Sequence, residues 1–170
     1  ALWEDECSGC HLAYHPSLLP ARSWKQIIAQ QENHFDEDLA LDTVTLMELL
    51  NYAIYNAAET AVTETAWQIN RSIPEKKTLL RISESIYWRH SHQSLSDAVW
   101  KIPDVASKAN CDACHLDATL GTFEDSAMHI PKPQPPEKLV EVEPRRLQEL
   151  GDINSLTKHK IQSHSNPLFN

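Results

Sequence analysis

Apolar residues recur at three- and four-residue spacing through the first half of the chain, a pattern typical of amphipathic helices. One run follows Pro20 and predicts a helix of about four turns that ends near Asn33 and His34. A second run follows Asp42, a suitable N-cap, and predicts another helix. Its apolar stripe comprises Leu46, Leu49, Leu50, Ala53, Ile54 and Ala57.

Two further helices are predicted in the middle of the chain. One extends from about Thr60 to Asn70 and stops before Pro74, because proline disfavours helix in the residue before it. The other covers Thr78 to His92 and places three apolar residues on one face, namely Leu79, Ile82 and Ile86. Strand patterns are nearly absent, so the sequence predicts an all-α fold with extensive irregular loops.

Two C-x-x-C-H motifs, at residues 7–11 and 111–115, use all four cysteines of the chain. This motif attaches c-type haem: two thiols form thioethers with the two vinyl groups, and the histidine becomes the proximal iron ligand. The sequence therefore predicts two covalently bound haem c groups. The residues expected to hold them are Cys7, Cys10, His11, Cys111, Cys114 and His115.

The four cysteines have three alternative uses, and each leaves something unexplained. A zinc site made of four thiolates does not require a histidine after each second cysteine. A redox dithiol needs a single C-x-x-C in a βαβ setting, which this chain does not resemble. Disulfides within each motif would close strained small loops, and a bridge between the motifs would leave both histidines to coincidence.

Haem attachment also predicts the compartment. In bacteria the thioethers form outside the cytoplasmic membrane, so we expect a periplasmic protein whose signal peptide has been removed; the residues from Ala1 to Glu4 show no basic signal-peptide region. No apolar run is long enough to span a bilayer, so no membrane insertion is expected. The net charge of −9 argues against nucleic-acid binding and favours a partner with a basic patch.

The order of motifs and helices predicts two cytochrome-c-like haem units and a tail. The first unit, residues 1–60, has its motif before its helices, whereas the second, residues 61–130, has its motif after them. Residues 131–170 begin with four closely spaced prolines and become charged, with one short helical pattern at Arg145 to Leu150. We interpret this segment as a Pro-rich C-terminal tail.

The second axial ligand of each iron determines what such a protein does. Histidine or methionine in that position closes the iron and yields an electron carrier, whereas an open position admits small ligands and permits catalysis. Besides the two motif histidines, the chain has seven histidines and two methionines. These are His15, His34, His90, His92, His129, His159, His164, Met47 and Met128.

Four of these histidines are weighed by their spacing. His15 lies one helical turn after His11, on the same side of the haem, and is interpreted as a surface or propionate-contacting residue. His34 follows a helix that is able to cross the first haem, but a histidine at a helix end also complements the helix dipole. His90 and His92 diverge on one helix, so spacing favours at most one of them and leaves the choice open.

The remaining candidates are weaker. Met47 lies beside the apolar stripe and is interpreted as core packing. Met128 and His129 follow the second motif closely and remain minor candidates for the second iron. His159 and His164 belong to the tail and are interpreted as solvated.

Longer runs around both motifs resemble the bacterial dihaem cytochrome c family, often abbreviated DHC, over about residues 3 to 131. In the first half the similar runs are Cys7 to Tyr14, Pro16 to Trp24 and His34 to Glu37. In the second half they are Arg81-Ile82, His92 to Trp100, Ala109 to Ala118, Gly121 to Phe123 and Ile130-Pro131.

The resemblance implies bis-histidine haems, with His34 as the sixth ligand of the first haem. It also selects His92 over His90, because His92 keeps the family-like distances to Arg81 and Trp100. The family is associated with electron transfer to a small oxygen-binding monohaem cytochrome, the sphaeroides haem protein, often beside a membrane b-type cytochrome. The chain departs from the family pattern at Asp36, where a small residue is expected, and in its longer tail.

The sequence thus predicts a periplasmic dihaem cytochrome c that relays single electrons through the axial pairs His11/His34 and His115/His92, and not an enzyme. The alternative is a small peroxidase- or reductase-like dihaem enzyme with one open iron. A haem-based sensor would require a signalling module, and the sequence has no pattern of one.

Overall fold

Helices and tight turns account for the regular structure of residues 1–132, the part of the chain that the computed structural model describes. The α-helices are α1 (Leu2–Cys7), α2 (Ala21–Ala29), α3 (Thr43–Tyr55), α4 (Glu64–Ser72), α5 (Ile86–Ser91) and α6 (Asp97–Trp100). Short 3-10 turns lie at Pro16–Leu18, Gln31–Asn33, Ile82–Glu84, Cys111–Ala113, Ala118–Leu120 and Asp125–Ala127. Within this part of the chain there is no strand beyond two isolated bridges, so the predicted all-α class is confirmed.

The helix predicted after Asp42 is confirmed as α3. The Asp42 carboxylate accepts hydrogen bonds from the backbone N–H groups of Val44 and Thr45, at 2.8 and 3.2 Å, and so satisfies donors that an uncapped helix leaves free. Leu49 of the predicted stripe is buried against the core. The interpretation of Met47 as core packing is wrong: it lies about 200° from Leu49 around the helix, and its side chain is 60% exposed.

The helix predicted after Pro20 is shorter than expected. Pro20 is the N-cap residue of α2, which ends at Ala29 instead of continuing to Asn33. Gln30 leaves helical geometry with φ −100° and ψ 27°, and the 3-10 turn Gln31–Asn33 follows. The chain therefore changes direction immediately before His34.

The prediction of one helix from Thr78 to His92 is wrong. A 3-10 turn at Ile82–Glu84 comes first, and Ser85 then takes an extended conformation with φ −64° and ψ 147°. The Ser85 hydroxyl accepts a 3.1 Å hydrogen bond from the N–H of Trp88, which starts α5 anew. Capping by serine competes with continuation of a helix, and here the cap prevails.

α4 is displaced from its predicted start near Thr60 for the same reason. The hydroxyl of Thr63 accepts from the N–H of Ala66 at 3.3 Å, so the helix begins at Glu64. It continues to Ser72, two residues beyond the predicted end, and stops before Pro74 as expected.

The core lies where α1, α2 and α3 meet. Trp3 and Trp24 contact edge to face with ring centroids 5.4 Å apart, an arrangement that aromatic pairs favour. The indole N–H of Trp24 is directed at the carbonyls of Pro16 and Leu19, at 2.7 and 3.1 Å. This core holds α1, which carries Cys7, against the segment that follows the first motif.

The described residues belong to one unit, and hydrogen bonds cross the middle of it. Arg22 of α2 donates to the carbonyls of Lys77 and Ile73, at 2.9 and 3.3 Å. The division into haem units at residues 1–60 and 61–130 stays a prediction. Apart from residues 131 and 132, the predicted tail lies outside the described residues, together with its helical pattern, His159 and His164.

Candidate functional site

The first C-x-x-C-H motif starts at the C-terminal residue of α1. Cys7 ends that helix, a turn carries Cys10, and His11 follows. His11 Nδ1 lies 2.7 Å from the carbonyl oxygen of Leu12, which only accepts hydrogen bonds. Nδ1 is therefore the protonated nitrogen, and Nε2 keeps the free lone pair that a metal ligand needs.

His34 faces His11 across a gap. Their ring centroids are 6.1 Å apart and the ring planes differ by 22°. Two metal–nitrogen bonds of about 2.0 Å across one iron, plus half of each imidazole ring, require a separation of roughly 6 Å. The pair therefore fits the two axial ligands of one haem iron.

A tight turn holds His34 in place. His34 N–H donates to the Glu37 carbonyl at 2.7 Å, and Glu37 N–H donates back to His34 at 3.1 Å. The two residues between them, Phe35 and Asp36, have φ values of 54° and 79°. Positive φ at both central positions is the geometry of a type I′ turn, which favours glycine at the second. This explains why a small residue is expected at position 36.

The second pair has the same spacing. The ring centroids of His92 and His115 are 6.1 Å apart, and the planes differ by 68°. His92 is the C-cap residue of α5, and its Nδ1 lies 2.8 Å from the Trp88 carbonyl, so Nε2 is again free to bind a metal. The Trp88 ring stacks on His92 with centroids 4.3 Å apart and planes within 16°. His90 is exposed on the last turn of α5.

The second motif forms a compact turn around its histidine. His115 N–H donates to the Cys111 carbonyl at 2.8 Å, and His115 pairs with Met128 in an isolated bridge. The edge of Phe123 lies against the imidazole with centroids 5.1 Å apart. His115 Nδ1 is buried and has no hydrogen-bond partner among the described residues. This imidazole is therefore held by packing and backbone contacts.

Burial lowers the pKa of three of the paired histidines, His34, His92 and His115, and so favours their neutral, ligating form. It lowers the pKa of His34, and the nearby His11 lowers it further. It also lowers the pKa of His92, although the hydrogen bond to Trp88 opposes the shift. The pKa of His115 is lowered first by burial and then by His92. A neutral imidazole is the form that donates a lone pair to a metal.

Cys7 and Cys111 differ from the cysteines of a reactive dithiol. Burial, with a contribution from Glu6, raises the pKa of Cys7 to about 11. Burial also raises the pKa of Cys111 to about 11, followed by the charges of Asp112 and Cys114. Redox dithiols instead have lowered thiol pKa values. Within residues 1–132, moreover, no three Cys, His, Asp or Glu side chains come together as a zinc site requires.

The structure separates His15 from the pairs. Residues 12–15 are not helical, and His15 Nδ1 hydrogen-bonds the Ser17 hydroxyl at 2.8 Å. The ring lies so close to Gly121 that a β-carbon added there would be 2.6 Å from His15 Cγ. His15 therefore packs between the segment around Ser17 and the turn at Gly121, which together are called the Gly121 junction below.

Sequence reasoning missed the aromatic residues that hold the paired histidines. Tyr14 stacks on His11 with centroids 5.0 Å apart, and Phe35 contacts His34 at 4.9 Å. Trp88 precedes His92 by four residues, the spacing of neighbours on one helix face, and this signal would have found it. Tyr14 follows His11 by three residues, but residues 12–15 are not helical, and Phe35 is adjacent to His34, so helix spacing marks neither of the other two contacts.

Comparison with known proteins gives one family. The family model described as dihaem cytochrome c matches residues 3–123, which include both motifs. A diheme cytochrome c from Rhodobacter sphaeroides is 37% identical, with a TM-score of 0.63, and the match covers 72% of this chain and 94% of that one. A crystal structure of DHC purified from the same organism is 36% identical, with a TM-score of 0.57 and coverage of 72% and 95%.

A third structure, of a diheme cytochrome type c from Shewanella baltica, is 28% identical. Its TM-score is 0.61, and the match covers 77% of this chain and 92% of that one. No curated protein matches the chain. No helix within residues 1–132 has the length and apolar character that a membrane span requires.

Proposed function

This chain belongs to the dihaem cytochrome c family, and we propose that it relays single electrons in the periplasm through two bis-histidine haems. Membership implies two covalently bound haem c groups and a role in electron transport. In the proposal, thioethers form at Cys7, Cys10, Cys111 and Cys114. The axial pairs are His11 with His34 and His115 with His92.

One observation carries the proposal. In each of two histidine pairs, whose members are not neighbours in the sequence, the ring centroids are 6.1 Å apart. Each pair combines a motif histidine with the histidine that the family resemblance selects. Rings in direct contact would be closer, and unrelated rings would have no reason to share one distance. Ligation of one iron by each pair accounts for both values.

When bound, the haem supplies a one-electron Fe³⁺/Fe²⁺ couple. The four histidines would occupy both axial positions of each iron, and aromatic rings pack on two of them, His34 and His92, which holds these imidazoles in place. The hydrogen bonds of His11 and His92 to carbonyls fix their tautomers and raise their basicity as ligands. With histidines in both axial positions, no substrate atom would bind either iron, so electrons would enter and leave without bond formation.

The absorption spectrum of the reduced holoprotein, with and without carbon monoxide, tests this proposal. Two closed irons give bands that carbon monoxide does not shift on mixing. A rapid shift in the bands of either haem would reveal an open iron and favour the peroxidase- or reductase-like alternative. The experiment requires no knowledge of the partner.

The compartment follows from where thioether attachment takes place in bacteria, outside the cytoplasmic membrane. Expression of the chain behind a secretory signal should place the covalently haem-bearing protein in the periplasmic fraction. The same chain without the signal should accumulate in the cytoplasm without covalent haem. Covalent haem in the cytoplasmic product would contradict this part of the proposal.

The proposed partners are a small oxygen-binding monohaem cytochrome of the sphaeroides haem protein type and a membrane b-type cytochrome. The net charge of −9 supports docking to a basic patch, because opposite charges accelerate encounter. Stopped-flow mixing of the reduced chain with the oxidised monohaem cytochrome should show rapid electron transfer that slows as salt is added. A slow rate that does not depend on salt would argue against this partner.

A further inference from the structure

Tyr14 contacts both haem-attachment segments. Its ring stacks on the proximal histidine of the first motif, His11, with centroids 5.0 Å apart and planes within 27°. Its hydroxyl donates a 2.6 Å hydrogen bond to the carbonyl of Ala109. Ala109 stands two residues before Cys111, so one side chain joins two segments that are 95 residues apart.

The Ala109 carbonyl also lies near Cys111, the first cysteine of the second motif. Cys111 Sγ lies 3.8 Å from the same carbonyl oxygen that accepts from Tyr14. If Cys111 forms a thioether with the second haem, its sulfur, the Ala109 carbonyl and the Tyr14 phenol would lie next to one another. The contacts therefore run from His11 through Tyr14 and Ala109 to Cys111.

The backbone and surroundings of Tyr14 make this contact well defined. The Trp3 indole N–H donates to the Tyr14 carbonyl at 3.1 Å, which ties the residue to the buried core. A tyrosine phenol is a neutral hydrogen-bond donor at physiological pH.

We infer that Tyr14 is a positioning residue that couples the two haem centres by holding the His11 imidazole against the loop that carries Cys111. The inference rests on the proposed function, since it assumes that both motifs bear haem. In each exchange one electron leaves one centre and reduces the other. The phenol keeps its proton and is not oxidised, so Tyr14 contributes geometry and electronic contact alone.

Tyr14→Phe tests the inference because it keeps the ring on His11 and removes only the hydrogen bond. After one haem is reduced by a pulse, electron exchange between the haems in the holoprotein should slow severalfold, because the variant loses the direct contact between the phenol and the Ala109 carbonyl. Tyr55→Phe is the matched control, because Tyr55 is 81% exposed. That variant should exchange electrons at the wild-type rate.

A second readout does not depend on electron flow. In the fully reduced, diamagnetic protein at low temperature, the Tyr14 hydroxyl proton should give a downfield resonance that is lost in Tyr14→Phe and kept in Tyr55→Phe. An unchanged exchange rate in Tyr14→Phe, with both haems attached and closed to carbon monoxide, would overturn the coupling role and leave the proposed function intact. Carbon monoxide binding by the wild-type protein would instead refute the bis-histidine proposal, whatever Tyr14→Phe does.

Discussion

The Arg81 guanidinium lies over the face of Phe35, with Cζ 4.3 Å from the ring centroid. Phe35 is the first central residue of the turn that presents His34, whereas Arg81 stands just before the segment that leads into α5 and His92. A cation over an aromatic face is attractive. The contact therefore braces the turn that carries His34 against the segment that leads to His92.

Arg81→Ala should loosen this turn. Loss of the cation–π contact should lower the free energy of unfolding by about 0.5 to 1 kcal/mol, and carbon monoxide should bind the first haem faster because His34 detaches more often. Unfolding by denaturant and stopped-flow mixing measure the two effects. Arg71→Ala is the control, since Arg71 makes the same kind of contact within α4, 4.4 Å over the ring of Trp67. It should cost similar stability without altering carbon monoxide binding.

Asp36→Gly should stabilise the same turn. Asp36 has φ 79°, a conformation that costs an L side chain free energy and costs glycine little. Thermal or denaturant unfolding of the holoprotein should show a gain of about 0.5 to 1 kcal/mol. Asp36→Ala, which keeps a β-carbon but loses the polar group that tolerates this region, should lose stability. A gain from alanine as large as that from glycine would refute the explanation.

The helix that could be predicted best is the one with a distinct start signal. Asp42 precedes a long apolar stripe, and α3 begins directly after it at Thr43; the helix ends at Tyr55, so Ala57, the last residue of the predicted stripe, lies beyond it. The prediction of one helix from Thr78 to His92 was wrong. The spacing of apolar residues does not show whether a serine such as Ser85 caps a new helix. Local hydrogen bonds of this kind are decided by tertiary context, which a single sequence does not contain.

In the candidate site, too, some residues could be predicted from the sequence and others could not. The attachment residues follow from a motif whose chemistry requires that spacing. Spacing alone left His90 and His92 open; in the structure the His92 ring stacks on Trp88, and its centroid lies 6.1 Å from that of His115. The Tyr14 contact with Ala109 was beyond prediction, since it joins residues 95 positions apart.

Gly121→Ala should strongly destabilise the protein. Gly121 has φ 72°, and an added β-carbon would lie 2.6 Å from His15 Cγ and 2.7 Å from Ser17 Oγ. Left-handed strain and overpacking together should cost at least about 2 kcal/mol in denaturant unfolding. Gly9→Ala is the matched control, because its added β-carbon would meet nothing within 4 Å. Equal losses in the two variants would show that the Gly121 junction is not the cause.

The two ferric haems should give distinct low-spin electron paramagnetic resonance signals. The imidazole planes of His11 and His34 differ by 22°, whereas those of His92 and His115 differ by 68°. Nearly parallel rings donate π density along one axis and split the two iron orbitals involved, whereas crossed rings leave these orbitals close in energy. We expect one rhombic signal and one with a much larger maximum g value. Two identical signals would contradict these ring orientations.

Removing each distal histidine should open one iron. In His34→Ala and His92→Ala the thioethers and proximal histidines remain, so both haems stay attached while carbon monoxide binds one haem per protein. His90→Ala should bind none, because His90 is exposed on α5 and His92 is the residue whose ring lies 6.1 Å from His115. Mass spectrometry of the attached haem and carbon monoxide difference spectra measure these outcomes. If His90→Ala opened an iron while His92→Ala stayed six-coordinate, the second axial pair would be wrong, and so would the role assigned to the Trp88 stack.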